Sequence, residues 1–316
     1  MTFHPDSLPD LTGTTYVVTG GNSGIGYGTV ARLAQHGAHV YLCARSISRA
    51  SDATARIKSL YPHANITLLE MDHLSLHTVV SAAKFVLSKE NALHGLINNA
   101  GIMATPFGIS GDGHEEQWQT NYLAHWVFTS HLLPLLLKTS QGLPPGSVRV
   151  VNLSSSGHYY APNGGINFDS TSLQHESGMA RYGQSKLGNI LHAKMLNKCY
   201  GPGSQHAEAG KGEIWTAIVH PGLVESQLGA KAEIAKPLRM IFAIFGFMGA
   251  RFDNDKGAWT SLFCAASPQM KANQSGTYFQ RIAEAGRESV IAKDMKLAER
   301  LDQWTKEIMK KEGWIE

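Results

Sequence analysis

The sequence predicts an α/β fold in which helices cover both faces of a mostly parallel β-sheet. Short apolar and β-branched runs alternate with longer segments whose apolar residues recur every three or four positions. Several of the short runs are apolar throughout, which is typical of strands buried on both faces. Because helices separate the strands, we expect right-handed βαβ crossovers and a doubly wound parallel sheet of about seven strands.

The N-terminal part of the chain is predicted to alternate strands with helices. The first helix ends before Gly37 and the second before Pro62, since glycine favours a helix end and proline cannot continue a helix. The strands are expected at residues 15–20, 39–44, 65–72 and 94–101, and the helices at residues 25–36, 48–61 and 76–89.

The same alternation is predicted for the rest of the chain. We expect long helices at residues 115–138 and around the segment ARYGQSKLGNILHAK, which covers residues 180–194. Further strands are expected at residues 147–155, 213–222 and 276–280. Near the C-terminus, lysines alternate with glutamates, which favours a solvated helix face over a nucleic-acid contact.

Composition narrows the class of protein. The 316 residues are 43% hydrophobic and 17% charged, which favours a globular core, and a net charge of +3 argues against nucleic-acid binding. Cys43, Cys199 and Cys264 are odd in number and far apart, so no disulfide framework is expected and a reducing compartment is favoured. The N-terminus shows no signal-peptide pattern, and we therefore expect a cytoplasmic protein.

A glycine-rich loop, VVTGGNSGIGYG, follows the first predicted strand and begins the first helix. Gly20, Gly24 and Gly26 let the backbone turn tightly and approach a pyrophosphate at the helix N-terminus. The Gly-Lys pair of a Walker loop is missing. We therefore predict a Rossmann-type dinucleotide site in one domain over residues 1–316. Its cofactor-binding half covers residues 14–110, its catalytic and substrate half 111–285, and a C-terminal helical tail 286–316.

The end of the second strand indicates which dinucleotide is bound. An acidic residue there would bind a ribose 2′-hydroxyl, whereas an arginine would accept a 2′-phosphate. The residues are Cys43, Ala44 and Arg45, so we predict NADP (NADPH), with Arg49 placed to assist. The alternative interpretation is an exposed arginine on a turn.

Tyr182 and Lys186 lie four residues apart in a predicted helix, and no other tyrosine of the chain has a lysine at that spacing. Residues four apart share a helix face, so the ammonium can approach the phenol. A nearby cation lowers a tyrosine pKa from its reference value of about 10. The pair is thus a candidate tyrosine acid with the lysine cation that tunes its pKa, although such pairs are more often surface contacts.

Seven motifs in register resemble the short-chain dehydrogenase/reductase family over about residues 12–285, as expected for one Rossmann-type domain. They are TGGNSGIG, MDHLSL, NNAG, TNYLAHW, VNLSSSGH, YGQSK and HPGLVES. QSKLGN is similar to the retinol-dehydrogenase-like reductases, as is the long segment that follows the serine motif. Tyr182 follows Ser155 by 27 positions, about twice the spacing that is common in the family.

The resemblance implies a role for each motif. Tyr182 exchanges the proton, Ser155 binds the substrate oxygen, Lys186 also binds the nicotinamide ribose, and Asn121 holds a water that relays protons. Ser154 and Ser156 are rivals for Ser155, Asn121 could be an ordinary buried residue, and Asp72 could only cap a helix. The residues implied for cofactor binding are Gly20, Asn22, Ser23, Gly24, Ile25, Gly26, Arg45, Asp72, His73, Asn99, Ala100, Gly101, Tyr182, Lys186, Pro221, Gly222, Val224 and Ser226.

Three segments are expected to bind the substrate, and no segment is expected to bind a metal. The segment after Ser155, the loop at residues 103–107 and the apolar segment after Ser226 are expected to form an apolar or aromatic pocket. Its candidate residues are Met103, Phe107, Ser156, Tyr159, Leu223 and, in the apolar segment, Phe242. No metal site is predicted: GHEEQW has Trp118 where a zinc-protease motif needs a second histidine, and His73 and His77 have no further ligands nearby.

These observations predict an NADPH-dependent oxidoreductase, a carbonyl reductase that reduces a ketone or aldehyde and reversibly oxidises an alcohol. One alternative is a non-catalytic NADP-sensing or scaffold protein on the same fold. Another is a lipid-aldehyde or retinoid reductase docked on a membrane surface through residues 240–250, a segment too short to span a bilayer. We expect a small-molecule substrate and no membrane contact. The resemblance also implies a homodimer or homotetramer formed through the helices that carry Asn121 and Tyr182.

Overall fold

The computed structural model describes residues 3–224 and 251–316. Its strands, in chain order, are β1 (Thr15–Thr19), β2 (His39–Ala44), β3 (Asn65–Glu70), β4 (Gly95–Asn98), β5 (Arg149–Leu153), β6 (Trp215–His220), β7 (Leu223–Val224), β8 (Arg251–Phe252), β9 (Thr277–Gln280) and β10 (Glu284–Ala285). Eight of them form one sheet in the order β3-β2-β1-β4-β5-β6-β9-β10, and β7 pairs separately with β8. Within the large sheet only β10 is antiparallel to its neighbour.

Helices separate the strands, as the alternating pattern predicted. They are α1 (Gly24–Gln35), α2 (Ile47–Leu60), α3 (Leu76–Lys89), α4 (Glu116–Trp118), α5 (Ala124–Gln141), α6 (Gly178–Tyr200), α7 (Gln205–Glu208), α8 (Asn254–Ala266) and α9 (Met295–Lys311). The predicted doubly wound α/β fold is confirmed. Every predicted strand occurs within a few residues of its expected place.

Two differences from the predicted elements matter for the site. The helix expected at residues 115–138 is three pieces, because the π-helical turn Gln119–Leu123 interrupts it between α4 and α5. Such a turn widens the backbone hydrogen-bond step from four residues to five, and hydrophobic periodicity does not reveal it. The second difference is the antiparallel edge strand β10, whose two residues are too few to leave a pattern.

The core lies on both faces of the sheet. Val17 and Val18 are neighbours in β1, yet they belong to different buried clusters, as expected for a strand covered on both sides. One cluster packs α1 and α8 against the sheet, for example through Leu33 and Leu262. The other packs α3, α5, α6 and α9 against the opposite face, for example through Phe128 and Leu187.

Helix α9 packs against the helices that carry the candidate catalytic residues. The hydroxyls of Tyr122 and Thr305 are 2.7 Å apart and both are buried. Trp126 Nε1 on α5 donates to Asp302, at 3.1 Å. His131 Nε2 donates to the carbonyl oxygen of Trp314, at 2.8 Å. The C-terminal tail is therefore an integral part of the fold and braces α5 and its π-helical turn.

Two further features are the state of the cysteines and the presence of membrane-spanning helices. Cys43, Cys199 and Cys264 are all free, as expected. Within residues 3–224 and 251–316, no helix has both the length and the apolar content to cross a bilayer. The apolar segment at residues 240–250 lies outside the described residues, and so does Phe242.

Candidate functional site

The glycine loop joins the carboxyl end of β1 to the N-terminus of α1. Gly20 and Gly24 have left-handed backbone conformations, with φ of 65° and 55°. A Cβ atom on Gly26 would lie 2.3 Å from the carbonyl oxygen of Gly20, so only glycine lets the helix start this close to the strand. Ser23 caps the helix but its side chain makes no capping hydrogen bond. The first N–H groups of α1 are thus available to an anionic ligand.

The NNAG stretch after β4 is tied to the end of β1. The Thr19 hydroxyl accepts hydrogen bonds from the backbone N–H groups of Asn99 and Ala100, at 2.8 and 2.9 Å. The Asn99 side chain donates to the carbonyl oxygen of Thr19, at 2.7 Å. These bonds hold Gly101 and its neighbours next to the glycine loop at the carboxyl edge of the sheet. In an open parallel sheet this edge is where ligands bind.

Arg45 and Asp72, both predicted to bind the cofactor, differ in their surroundings. Arg45 follows β2 and is exposed, and its guanidinium makes no ion pair or hydrogen bond with any described residue. Asp72 follows β3 and accepts a hydrogen bond from the N–H of Leu74, at 3.0 Å. Ser75, and not Asp72, is the N-cap of α3, so the capping alternative for Asp72 is wrong. His73 is buried and contacts His125.

Tyr182 and Ser155 meet at the end of β5. A Cβ atom on Gly157 would lie 2.5 Å from the Tyr182 ring and 3.3 Å from Ser155 Oγ, so the two side chains border the same small space. Ser155 Oγ accepts from the N–H of Gly157, at 3.0 Å. Ser154 Oγ instead donates to the carbonyl oxygen of Lys186, at 2.8 Å, and Ser156 is exposed. Of the three adjacent serines, Ser155 is therefore the one placed beside the tyrosine.

Lys186 is buried on the same helix, and its ammonium donates to the carbonyl oxygen of Leu153, at 3.1 Å. Its Nζ atom lies 5.8 Å from the centre of the Tyr182 ring. Burial lowers the pKa of Lys186 to about 8 and raises that of Tyr182 to about 12. In the chain alone, loss of hydration outweighs the effect of the neighbouring Ser155, whereas the predicted lowering of the Tyr182 pKa concerned a site that also holds the oxidised nicotinamide.

Asn121 lies within the π-helical turn and is completely buried. Its side chain accepts from the N–H of Ile102 at 2.9 Å and donates to Ser185 Oγ at 2.8 Å. Its backbone carbonyl accepts from His125 Nδ1, at 2.9 Å. The residue therefore links the segment after NNAG to α6.

The predicted substrate residues that the structure describes belong to the segments that follow NNAG and Ser155 in the chain. Met103 and Phe107 belong to the loop after NNAG, and the Arg181 guanidinium lies 5.5 Å from the centre of the Phe107 ring. Tyr159 is exposed, and its hydroxyl donates to the carbonyl oxygen of Arg287, at 2.9 Å. Pro221 and Gly222 follow β6 at the same sheet edge. The side chains of Leu223 and Val224, and all of Ser226, lie outside the described residues.

Sequence patterns gave no sign of several residues that build this site. Arg181 forms a buried ion pair with Glu115, at 3.3 Å, and donates to the carbonyl oxygen of Thr105, at 3.1 Å. His158 bridges the carbonyl oxygen of Ser155 and the N–H of Ser289. These contacts join segments that are distant in sequence. Among the described residues, no group of three or more His, Cys, Asp or Glu side chains could hold a metal ion.

Comparison with known proteins agrees with this arrangement. Residues 14–236 match the short chain dehydrogenase family. The chain is 49% identical to the short-chain dehydrogenase/reductase drtF of Aspergillus calidoustus, with 97% of each chain covered. It is 34% identical to retinol dehydrogenase 11 of Mus musculus, over 90% of this chain and 84% of the relative. A crystal structure from Mycobacterium paratuberculosis is similar with a TM-score of 0.72, at 25% identity and 98% coverage of both chains. The chain therefore belongs to the short-chain dehydrogenase/reductase family, and its resemblance to the retinol-dehydrogenase-like members is confirmed.

Proposed function

We propose that this oxidoreductase uses NADPH to reduce a ketone or aldehyde on an apolar or aromatic substrate. The observation that carries the proposal is that Ser155 lies next to the buried Tyr182 and Lys186 at the carboxyl edge of the sheet. A nucleotide sensor needs a glycine loop and phosphate contacts, but it needs no buried phenol beside a serine. An enzyme that protonates a carbonyl oxygen needs both groups.

The residues at this edge fit a dinucleotide. The close approach of α1 to Gly20, which only a glycine at position 26 permits, and the N–H groups at the start of α1 that no side chain caps are suited to a pyrophosphate. Arg45 would pair with a ribose 2′-phosphate, and Asp72 and the NNAG stretch would flank the rest of the cofactor. When bound, NADPH supplies the hydride that reduces the carbonyl carbon.

Tyr182 would donate the proton to the carbonyl oxygen. Because its pKa is raised to about 12, the phenol of the chain alone stays protonated at neutral pH, as a proton donor must. The same shift disfavours the reverse reaction, in which the phenol would have to give up its proton first.

Ser155 would donate a second hydrogen bond to the carbonyl oxygen and fix its orientation. Lys186 would keep a positive charge near Tyr182 and would bind the ribose of the cofactor. With a pKa of about 8, most of its amine is protonated at neutral pH. Asn121 would support a water that returns a proton to Lys186.

Helix α9 packs on the helices that carry Asn121 and Tyr182 and so covers the surface through which a dimer was expected. We propose that any homodimer or homotetramer forms through another face of the protein. Light scattering, followed by cross-linking of whatever oligomer is found, tests this. Cross-links between two copies of α5 would contradict it.

A screen of NADPH oxidation tests the proposed reaction. The panel contains aromatic ketones, quinones, polyketide-like ketones and long-chain aldehydes, each compared with a reaction that lacks the carbonyl compound. We expect oxidation with at least one apolar or aromatic carbonyl and formation of the matching alcohol. If NADPH binds and no carbonyl of the panel is reduced, the sensor alternative gains support.

A further inference from the structure

A buried hydrogen-bonded cluster connects the NNAG stretch to Asn121. We call it the histidine cluster, and it consists of Thr19 at the end of β1, His73 after β3 and His125 on α5. His125 Nε2 lies 2.8 Å from Thr19 Oγ1 and 3.1 Å from His73 Nε2. On the other side of its ring, His125 Nδ1 lies 2.9 Å from the carbonyl oxygen of Asn121. At 1% exposure, His125 is almost completely enclosed by protein.

The partners determine which ring nitrogen carries the hydrogen. A carbonyl oxygen can only accept, so the bond to Asn121 requires a hydrogen on His125 Nδ1. A neutral imidazole has one hydrogen, and Nε2 must therefore accept. Burial, together with the nearby His73 and Lys186, holds the pKa of His125 well below its usual value, in agreement with a neutral ring.

The Thr19 hydroxyl supports the same assignment. Its oxygen already accepts from the N–H groups of Asn99 and Ala100, which use both of its lone pairs. Its single hydrogen is then free to point at His125 Nε2, which is closer than the carbonyl oxygen of Ile97 at 3.5 Å. His125 Nε2 has a single lone pair, so the Thr19 hydroxyl at 2.8 Å is its main donor, and His73 Nε2 at 3.1 Å can only share that lone pair.

We propose that His125 is a positioning residue, held in the Nδ1–H form, that couples the NNAG stretch to the Asn121 carbonyl. Through Nε2 it orients the Thr19 hydroxyl, which holds the two N–H groups of the stretch that would flank the cofactor. Through Nδ1 it fixes the backbone carbonyl of Asn121, whose side-chain Oδ1 and Lys186 Nζ both lie next to Gly101. The part that concerns turnover rests on the proposed carbonyl reduction, whereas the part that concerns cofactor binding and ring state does not.

The ring state is tested directly on the wild-type protein by NMR of histidine labelled with ¹⁵N at both ring positions. We expect a protonated-type shift at Nδ1 of His125 and an unprotonated-type shift at Nε2 near neutral pH. His125→Phe identifies the signal. A hydrogen on Nε2 in place of Nδ1 would overturn the proposal, and this measurement needs no turnover.

Two amide variants separate the two roles. In His125→Asn the shorter amide can donate near the Nδ1 position but cannot reach Thr19, so the main effect is a rise of about tenfold in the Kd for NADPH. In His125→Gln the amide can accept near the Nε2 position but leaves the Asn121 carbonyl without its donor. Its main effect is therefore a fall of about tenfold in kcat, with a smaller change in that Kd.

His131→Asn is the matched control, since His131 lies on the same helix and also donates to a backbone carbonyl, that of Trp314. NADPH fluorescence titrations give Kd, steady-state assays give kcat, and circular dichroism checks the fold of each variant. Equal effects of His125→Asn and His125→Gln on both parameters, or no effect of either, would overturn the proposal. If the wild type reduces no carbonyl, the proposed function fails, while the NMR and Kd measurements still decide the role of His125.

Discussion

Two regions at the carboxyl edge of the same sheet are built in opposite ways. On the nucleotide side, Arg45 is exposed without a described partner, and the N-terminus of α1 has no side-chain cap. On the reaction side, Asn121, Tyr182 and Lys186 are each at most 3% exposed, and the side chains of Asn121 and Lys186 are hydrogen-bonded within the chain. The first region leaves its donors free for a ligand's phosphates. The second uses its polar groups to hold a fixed geometry, at the cost of burying them.

The largest expected difference is in acid stability. Burial lowers the pKa of His73 and His220 to about 4 and that of His192 to about 3. Above a pH of about 6.5 these rings are neutral in both the folded and the unfolded protein. As the pH falls, the rings of the unfolded chain become protonated, whereas those of the folded protein stay neutral. The free energy of unfolding should fall by up to about 1.4 kcal/mol per pH unit for each ring until its folded pKa is reached.

Urea unfolding at several pH values from about 7 to 5 measures this slope. The variant His192→Asn should have a shallower slope than the wild type. His77→Asn, which changes an exposed histidine on α3, should keep the wild-type slope. Equal slopes for all three proteins would mean that the buried rings do not destabilise the fold in acid.

The next largest effect is on the free energy of unfolding when one arginine of the reaction side or one of the nucleotide side is replaced by leucine. Arg181 is 5% exposed, and its Nε atom lies 3.3 Å from Oε1 of the buried Glu115. The two atoms form an ion pair but are not aligned for a hydrogen bond. Arg181→Leu leaves the Glu115 carboxylate buried without its cation and should lower the free energy of unfolding by about 3–5 kcal/mol. Arg45→Leu should change it by less than about 0.5 kcal/mol. Denaturant titration of both variants checks the contrast, which a similar loss in both would contradict.

A smaller effect is expected on cofactor choice. Arg45→Ala removes the proposed partner of the 2′-phosphate, a charge-assisted contact worth about 1.5–3 kcal/mol. The KM for NADPH should therefore rise by about 10–100-fold, while that for NADH stays within about threefold. Parallel assays with both cofactors give the ratio. If both KM values rise equally, Arg45 does not bind the phosphate.

The nucleotide side could be predicted from sequence more fully than the reaction side. The glycine loop and Arg45 are local, since a strand end, a turn and a helix start place them without help from distant segments. The spacing of Tyr182 and Lys186 likewise follows from one helix. The raised pKa of Tyr182 in the chain alone could not be predicted from that spacing, because it depends on burial by segments that the motif does not contain.

Other features of the reaction side arise only from packing. The π-helical turn around Asn121 keeps the apolar periodicity of an ordinary helix, so its position could not be predicted. The pairing of Arg181 with Glu115 and the histidine cluster join residues more than fifty positions apart. Helix α9 contacts the π-helical turn through Thr305 and α5 through Asp302. Its alternating lysines and glutamates had indicated only a solvated helix face.

The central claim, that the reaction side holds a proton donor, is tested most directly with Tyr182→Phe. The variant keeps the ring that packs in the site and loses only the hydroxyl, so we expect the Kd for NADPH to stay within about twofold. Turnover of the carbonyl compound found in the screen should fall by about 10²–10⁴-fold, the usual contribution of a general acid. Turnover at the wild-type rate with unchanged NADPH binding would contradict the account.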